Sequence, residues 1–425
     1  MNGRQLSQEK YFGLYVALNI KLVQRKERSP MKIAIVHRYF PPDNASCGNI
    51  IHCISERLLE CGHDIKVLTS SPSYRTNNHS HKNELELSSN LDVCRANLPI
   101  RNGNMLLTIL NAIMFSLFII FKIIRTKPEI VIVTSVPPIL SAFSVSLVSK
   151  IMKFRMIYFV MDIYPEVGLV GHGMRDGITV EILRKIDSFS CNVADCLLVH
   201  SEDMRKTMEE RRSGIRTTIE IVNNFSIGSK KNVPTIINPV AFKKSDFNII
   251  FSGNVGRFQN LDRFFDILKE TKDQKIKLIV IGDGRKKDHL VQRAQNEDLN
   301  VEFMGNQPQQ VADMLIRQSD ICLISLNKGV TNYAYPSKTM AYLACHKPIL
   351  AMVDLDSELA ETIRENEIGF LMDESDIIQA SNMLSNICKN KSSIKKMSQN
   401  CKHANLKLFS KNETLLKWQK IIERP

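Results

Sequence analysis

From residue 31 onward, short apolar runs alternate with longer stretches in which apolar residues recur every three or four positions. The runs at 32–36, 65–68, 130–133, 156–160 and 196–199 have the length of buried strands. Between them, 49–60, 139–153, 178–194 and 201–211 carry helical periodicity. The first of these helices runs into Cys61-Gly62-His63, where Gly62 suits a left-handed terminating position. The rhythm lapses over 226–245, a stretch holding Pro234, Pro239 and several lysines, which reads as a linker. It then restarts, with strands predicted at 248–251, 277–281, 301–303, 321–324 and 348–352.

Strand–helix alternation of this kind predicts an α/β protein with parallel, doubly wound sheets. The lapse divides it into two Rossmann-like domains, 31–225 and 246–405, facing a cleft of the sort in which ligands settle. A terminal segment, 406–425, reads as a helix expected to cross back to the first domain. Residues 1–30 are polar and mixed. Their apolar part, 11–23, is interrupted by Asn19 and Lys21 and is followed by no small-residue cleavage site, so an extension outside the fold is expected.

The segment 105–124, MLLTILNAIMFSLFIIFKII, is nearly long enough to span a bilayer. Thr108, Asn111, Ser116 and Lys122 interrupt it, and a span here would divide one domain across the membrane. An in-plane amphipathic helix is expected, with Arg101, Lys122, Arg125 and Lys127 meeting anionic headgroups. The alternatives are a core helix of the first domain and a true span.

Charge sharpens this picture. The formal net charge of +13 favours anionic partners, whether nucleic acid, anionic lipid or phosphorylated small molecules. No basic motif with interleaved stacking aromatics accompanies it, and Trp418 is the only tryptophan, so nucleic acid is not expected. The ten cysteines show no CxxC pair, which fits a reducing, cytoplasmic setting. His79 and His81 flank a serine without a nearby carboxylate or cysteine, and read as an exposed loop rather than metal ligands.

The loops that follow the strands carry the chemistry. Tyr39-Phe40-Pro41-Pro42 leads through Asn44-Ala45-Ser46-Cys47-Gly48 into a helix. Asp162-Ile163-Tyr164-Pro165-Glu166 follows the fourth of the strand runs. In the second domain come Ser252-Gly253-Asn254-Val255-Gly256, Ile281-Gly282-Asp283-Gly284, and Tyr335-Pro336-Ser337-Lys338 running into Tyr342-Leu343-Ala344, closed by Lys347-Pro348. In this order the motifs resemble the retaining glycosyltransferases of family four, of GT-B fold, and among them the branch that builds lipid-linked surface polysaccharides. The resemblance covers about 31–390.

The physical reading of the same residues agrees. Glycines 253, 256, 282 and 284 let backbone N–H groups approach phosphate, with helix N-termini behind them. Asn254, Arg257, Tyr335, Pro336, Ser337 and Lys338 complete the expected donor site, Arg257 and Lys338 as the cations beside the diphosphate. Asp162 is a candidate base or polar anchor for an acceptor hydroxyl, with a loop hydrogen bond as the alternative reading. Glu166 joins it as the second catalytic candidate, and Tyr39 and Gly48 are expected at the acceptor. The resemblance implies retention of anomeric configuration without a side-chain nucleophile, so the carboxylate-pair logic of glycosidases does not apply.

The chain also departs from the family. Where the resemblance implies two glutamates around the donor sugar stand Tyr333 and Ala341, and its arginine–lysine pair falls at Asn254 and Gln259. Thr134-Ser135-Val136-Pro137-Pro138, after the run at 130–133, replaces the histidine usual there in the family. His346 occupies a usual glycine, at a cost of roughly 1 kcal/mol if the backbone there is left-handed.

The reading is a hexosyltransferase-type retaining enzyme moving sugar from a nucleotide-sugar to a polyprenyl-linked or other membrane-associated glycan. Its place is the inner face of the plasma membrane, with neither metal nor other cofactor required. The alternatives are a catalytically weak GT-B scaffold subunit, motivated by Ala341, and a sugar-nucleotide epimerase. An NAD enzyme comes last, because Gly282-x-Gly284 lacks a third glycine in dinucleotide spacing.

Overall fold

The computed structural model describes residues 29–43, 45–72, 91–99, 105–171, 173–211, 214–227, 242, 246–271 and 275–424. Most of the expected extension and linker, together with Asn44, His79, His81 and Arg101, lies outside them.

The first domain runs β1 (Lys32–Val36), α1 (Ser46–Glu60), β2 (Asp64–Ser70), β3 (Asp92–Ala96), α2 (Met105–Thr126), β4 (Ile130–Thr134), α3 (Leu140–Met152) and β5 (Arg155–Phe159). It continues with α4 (Glu166–Val170), α5 (Ile178–Val193), β6 (Cys196–Val199), α6 (Glu202–Glu210) and β7 (Ile219–Ile221). The seven strands are parallel in the order β3-β2-β1-β4-β5-β6-β7. Their apolar runs are continuous because both sheet faces are covered. Ile33 and Ile35 enter the core layer shared with α1, while Ala34 and Val36 enter the layer shared with α2 and α3.

The second domain repeats the scheme. It holds β8 (Phe247–Ser252), α7 (Leu261–Thr271), β9 (Ile276–Ile281), α8 (Lys287–Asn296), β10 (Val301–Gly305), α9 (Gln309–Gln318) and β11 (Ile321–Ser325). After a short 3₁₀ turn at Val330–Asn332 come α10 (Lys338–Ala344), β12 (Ile349–Met352), α11 (Glu358–Glu365) and β13 (Gly369–Leu371). Then follow α12 (Ile377–Lys389), α13 (Lys391–Leu408) and α14 (Lys411–Ile422). The parallel order is β10-β9-β8-β11-β12-β13.

In each sheet the order reverses between its first and fourth strands, β1/β4 and β8/β11. The carboxyl ends of strands at such switch points are where doubly wound folds bind ligands. The two sheets thus form the GT-B architecture.

Two turns follow the backbone logic of the sequence. Gly62 ends α1 at φ +91°, and His346 holds φ +58°, a left-handed conformation that is strained for a residue with a Cβ. The terminal helix leaves its own domain: Leu415, Trp418, Ile421 and Ile422 of α14 enter the first domain's core. Arg155 fixes that helix by donating to the carbonyls of Ile421 (3.0 Å) and Ile422 (3.1 Å).

The apolar segment is a 22-residue helix, α2, with two unlike sides. Phe115, Ile119 and Ile123 are fully buried against the sheet, and the amide of buried Asn111 donates to the Pro99 carbonyl at 3.1 Å. Leu106, Leu110, Leu117 and Phe121 face outward. The helix is therefore part of the domain on one side and apolar surface on the other.

Candidate active site

The loops named from the sequence meet at the carboxyl ends of both sheets. In the first domain the chain turns after β1 through Tyr39 and Phe40 and crosses the start of α1. Gly48 is required there, since a Cβ on it would lie 2.6 Å from the Tyr39 carbonyl oxygen. Tyr39 is half-buried, with the Arg38 guanidinium 5.6 Å from its ring centre.

After β5 the chain reaches Asp162, whose loop is organised by Ser135: its hydroxyl accepts from the backbone N–H of Met161 (3.0 Å) and Asp162 (3.2 Å). Burial pushes the Asp162 carboxyl up to about 6. The same environment raises the Cys47 thiol to about 11, chiefly through burial and then through the Asp162 and Asp43 charges. Burial, followed by the Asp162 charge and Tyr39, also raises the Tyr164 phenol. Tyr39, Cys47, Asp162 and Tyr164 therefore share one electrostatic neighbourhood.

Glu166 does not join them. Its Oε1 accepts from Arg184 Nε (2.9 Å) and Arg211 Nε (3.2 Å), and its Oε2 from Arg211 Nη2 (2.7 Å). Arg211 also binds Asp187 (2.6 Å), which accepts the Tyr158 hydroxyl at 2.9 Å. Burial alone would raise the Glu166 carboxyl, but Arg211 and Arg184 outweigh it and hold it below its usual range. The catalytic part expected of Glu166 is corrected to a structural one. With both oxygens engaged by guanidinium groups, it anchors α4 to α5 and to the end of α6.

In the second domain the glycines serve a different end from the one expected. The Gly253 N–H donates to the Ile281 carbonyl (2.8 Å) and the Gly282 N–H to the Gly305 carbonyl (2.7 Å), prolonging the sheet ladder. The Gly284 N–H is taken by the Asp283 carboxylate at 2.8 Å. The Gly253 and Gly282 N–H groups thus extend the ladder, and the Gly284 N–H faces the side chain of its neighbour.

Glycine is needed because the loops touch. A Cβ on Gly282, at φ +130°, would fall 1.9 Å from the Gly253 oxygen, and one on Gly284 would fall 2.3 Å from the Val255 oxygen. Gly256 is buried, while Asn254 and Arg257 beside it are exposed. The Arg257 and Phe258 carbonyls are both held by Asn327, at 2.8 and 2.9 Å.

Lys338 opens α10 directly beneath this loop. Its ammonium lies 4.4 Å from the Phe251 ring centre and donates to the Gln259 side chain. A Cβ on Gly253, at φ +143°, would meet the lysine's Cε at 2.7 Å. No carboxylate pairs with Lys338 among the described residues, and burial lowers its pKa to about 7. Ser337 is exposed and does not cap α10, while the Pro336 carbonyl accepts the Thr339 N–H at 3.0 Å. Burial raises the Tyr335 phenol, which packs against the cores of both domains.

Sequence reasoning missed the most direct link between the domains. The Ile163 N–H donates to the Tyr333 carbonyl at 2.8 Å, and Asp162 and Ala334 form an antiparallel β-bridge. The segment that leads into Lys338 is thereby bonded to the Asp162 loop. A second link joins helix N-termini: the Glu358 N–H donates to Asp203 (2.9 Å), and the Glu202 N–H donates to Glu358. A third is steric: the Phe258 ring lies where a Cβ on Gly171 would be, 2.2 Å from its Cε1. Ser135 and His37 were also unforeseen. The His37 ring bonds Thr134 Oγ1 at 2.7 Å, and burial lowers its pKa to about 3, so it is neutral.

Several known proteins are similar to this chain. Residues 232–404 match the model described as "Glycosyl transferases group 1". A probable glycosyltransferase WbjE of Pseudomonas aeruginosa is 26% identical over 274 residues, 62% of this chain and 68% of the relative. The putative colanic acid biosynthesis glycosyl transferase WcaI of Escherichia coli K12 is 22% identical over 351 residues, 78% of this chain and 85% of the relative. Among solved structures, Anabaena Alr3699/HepE in complex with UDP-glucose superimposes with a TM-score of 0.67 at 13% identity. It covers 92% of this chain and 99% of its own. Over residues 232–404 the second domain thus matches the group 1 glycosyl transferases, the chain as a whole has the GT-B fold, and its sequence is similar to glycosyltransferases of polysaccharide biosynthesis.

Proposed function

We propose that the chain transfers a hexosyl group, with retention, from a nucleotide-sugar to a hydroxyl of a membrane-associated glycan such as a polyprenyl-linked oligosaccharide. The observation that carries this reading is Lys338: a lysine without a carboxylate partner among the described residues, held under the loop after β8, on the segment whose Ala334 pairs with Asp162. A lysine kept that way is waiting for an anion. The donor diphosphate supplies it, and Lys338 stabilises the leaving phosphate as charge develops. The N-termini of α7 and α8, behind the loops after β8 and β9, add a favourable field.

On the facing loop Asp162 accepts a hydrogen bond from the acceptor hydroxyl and orients it. The departing phosphate assists the removal of that hydroxyl's proton. Anionic charge is met by Lys338, Arg257 and the helix ends, so transfer proceeds in EDTA. The UDP-glucose held by the Anabaena protein supports a nucleotide-sugar donor, and the relatives WbjE and WcaI support a role in surface polysaccharide, which on our reading is lipopolysaccharide or capsule. The place of action is the cytoplasmic face of the plasma membrane.

Thermal-shift measurement against UDP-, GDP-, dTDP- and CMP-sugars tests the donor site. A ligand at a hundred times its Kd stabilises by about 2.7 kcal/mol. One nucleotide class is expected to shift the wild type and not Lys338→Met. A scaffold subunit is the second reading, favoured by the absence of carboxylates at Tyr333 and Ala341; a shift followed by sugar transfer excludes it. The anomeric configuration of the product, read by NMR, decides retention.

A further inference from the structure

The helix layer over one face of the first sheet is apolar on both of its sides. Inward, Phe115, Ile119 and Ile123 of α2 and Ala142, Val145 and Val148 of α3 fill the core. Outward, Leu110, Leu117 and Phe121 of α2 are joined by Ile151 of α3 and by Ile178 and Ile182 of α5. Ile151 is 82% exposed and Ile178 79%, far more than an incidental apolar residue at a surface needs.

The three helices make one continuous layer, with α3 packed between α2 and α5. Phe189 of α5 meets Phe143 of α3 edge-on at 5.8 Å, and the Lys150 ammonium lies 5.6 Å from the Phe189 ring centre. Soluble monomers rarely leave so extended an apolar face uncovered.

The charges around it say what covers it. On α2 and α3 the sequence has cations and no acids, and α5 has two acids, Glu181 and Asp187. Both are already paired, Glu181 with Arg184 at 2.5 Å and Asp187 with Arg211 at 2.6 Å. Arg125, Lys127, Lys150, Lys153 and Lys185 stand exposed at the margin. A second copy laid on this face would bring a cationic margin against a surface with no unpaired carboxylate on these helices. An anionic bilayer offers the complement to both parts, acyl chains for the apolar residues and phosphates for the margin.

We propose that α2, α3 and α5 together form a lipid-docking face that seats the first domain flat on an anionic membrane. The proposal deepens the membrane-borne acceptor of the preceding reading and rests on it for which membrane is meant. Helix α2 lies in the plane instead of crossing, because its Asn111, Phe115, Ile119 and Ile123 side belongs to the domain core. Each of these helices runs back along its sheet from the carboxyl ends of the strands. Leu106 and Ile178 therefore stand at the cleft end and Arg125 and Lys150 at the far end. An acceptor glycan whose lipid stays in the bilayer then enters the cleft from that apolar end.

Flotation of the full chain with vesicles tests this, using phosphatidylcholine alone or with about a third phosphatidylglycerol. The wild type is expected to float with the anionic vesicles at low salt, and much less with the neutral ones. The double variant Ile151→Asp, Ile178→Asp leaves α2 untouched, yet its bound fraction is expected to fall about tenfold or more. Lys150→Glu with Lys153→Glu is expected to abolish the preference for anionic vesicles.

Both variants alter exposed positions and keep the nucleotide-induced thermal shift, which reports the fold. A wild type that does not float, or an Ile151→Asp, Ile178→Asp protein that floats as well as wild type, overturns the proposal. So does a wild-type dimer that this variant converts to monomer, which would make the face an interface between copies. Floating without any nucleotide-induced shift sinks the transferase reading and leaves docking standing, whereas a shift without floating does the reverse.

Discussion

Replacing Lys338 by methionine keeps an unbranched side chain of similar length but removes the ammonium, and with it the contact with the Phe251 ring and the bond to Gln259. In the wild type that ammonium is kept by burial at a pKa of about 7, down from 10.5. Between those two values the unfolded chain binds more protons than the folded one, so stability rises with pH across that window. At neutral pH the cost of holding this lysine is at most about 4 kcal/mol, and residual solvent contact reduces it. Lys338→Met is therefore expected to melt at the same temperature as wild type or higher at pH 7, and to lose the upward trend with pH.

Binding reverses the sign. A diphosphate beside Lys338 favours its charged form, so the nucleotide binds with uptake of a proton wherever the free protein has lost it. From about pH 6 to about pH 8 the affinity is expected to fall about tenfold, approaching the limit for one proton per site. Calorimetry of nucleotide binding in buffers of different ionisation enthalpy measures the uptake directly, and it should approach one proton at about pH 8. Lys338→Arg keeps a permanent charge and should bind with no uptake. Wild-type binding that takes up no proton and keeps its affinity across this range would refute the assignment of Lys338 to the diphosphate.

Three further outcomes follow from the same geometry. Asp162→Asn is expected to lower kcat about a hundredfold or more with little change in nucleotide affinity; in the wild type, activity should fall as pH drops through about 6, where the buried carboxyl takes its proton, as a pH–rate profile would record. Arg211→Ala leaves Glu166 and Asp187 buried without their shared partner and should cost about 3–5 kcal/mol in urea unfolding; Glu166→Gln should cost less and, once stability is allowed for, leave kcat near wild type. Gly171→Ala sets a methyl into the Phe258 ring and should weaken the contact between the domains, seen as a larger radius of gyration in X-ray scattering; Phe258→Ala added to it should restore the wild-type value.

The fold was legible because its signals are local. Runs such as 32–36 and 321–324 are buried on both faces, and such strands read as uninterrupted apolar stretches. Strands β3, β7 and β13, which lie at sheet edges and are only partly buried, gave no such run and escaped notice. The site was legible as loops, not as contacts. Lys338 was recognised by its motif, yet its dependence on Gln259 and Phe251 involves residues far away in the chain. Glu166 misled because a carboxylate at a strand end looks the same in sequence whether it faces a cleft or two arginines. Its partners, Arg184 and Arg211, come from two other elements. The glycines misled in a related way: the pattern shows where a side chain is forbidden, but not whether phosphate or a neighbouring loop forbids it.

The departure at Tyr333 acquires a physical meaning from the bridge between the domains. Where the family resemblance implies a glutamate reaching the donor sugar, this chain uses the Tyr333 backbone to accept the Ile163 N–H, and sets the ring against the first domain's core. Ala334 then pairs with Asp162, so the segment that carries Lys338 is registered against the loop that would hold the acceptor. The geometry at the cleft therefore depends on both domains at once, and a shift of one against the other breaks the Asp162–Ala334 pairing and moves Lys338 relative to Asp162. Two supports outside the cleft hold that register: the helix ends exchanging hydrogen bonds through Asp203 and Glu358, and Phe258 seated on Gly171. Gly171 in turn follows α4, which Glu166 fastens to Arg184 and Arg211. The buried ion cluster thus acts on the site by fixing the surface on which the loop after β8 rests, without touching a reacting atom. A motif containing one carboxylate at the cleft and another beneath it needs both, for different reasons.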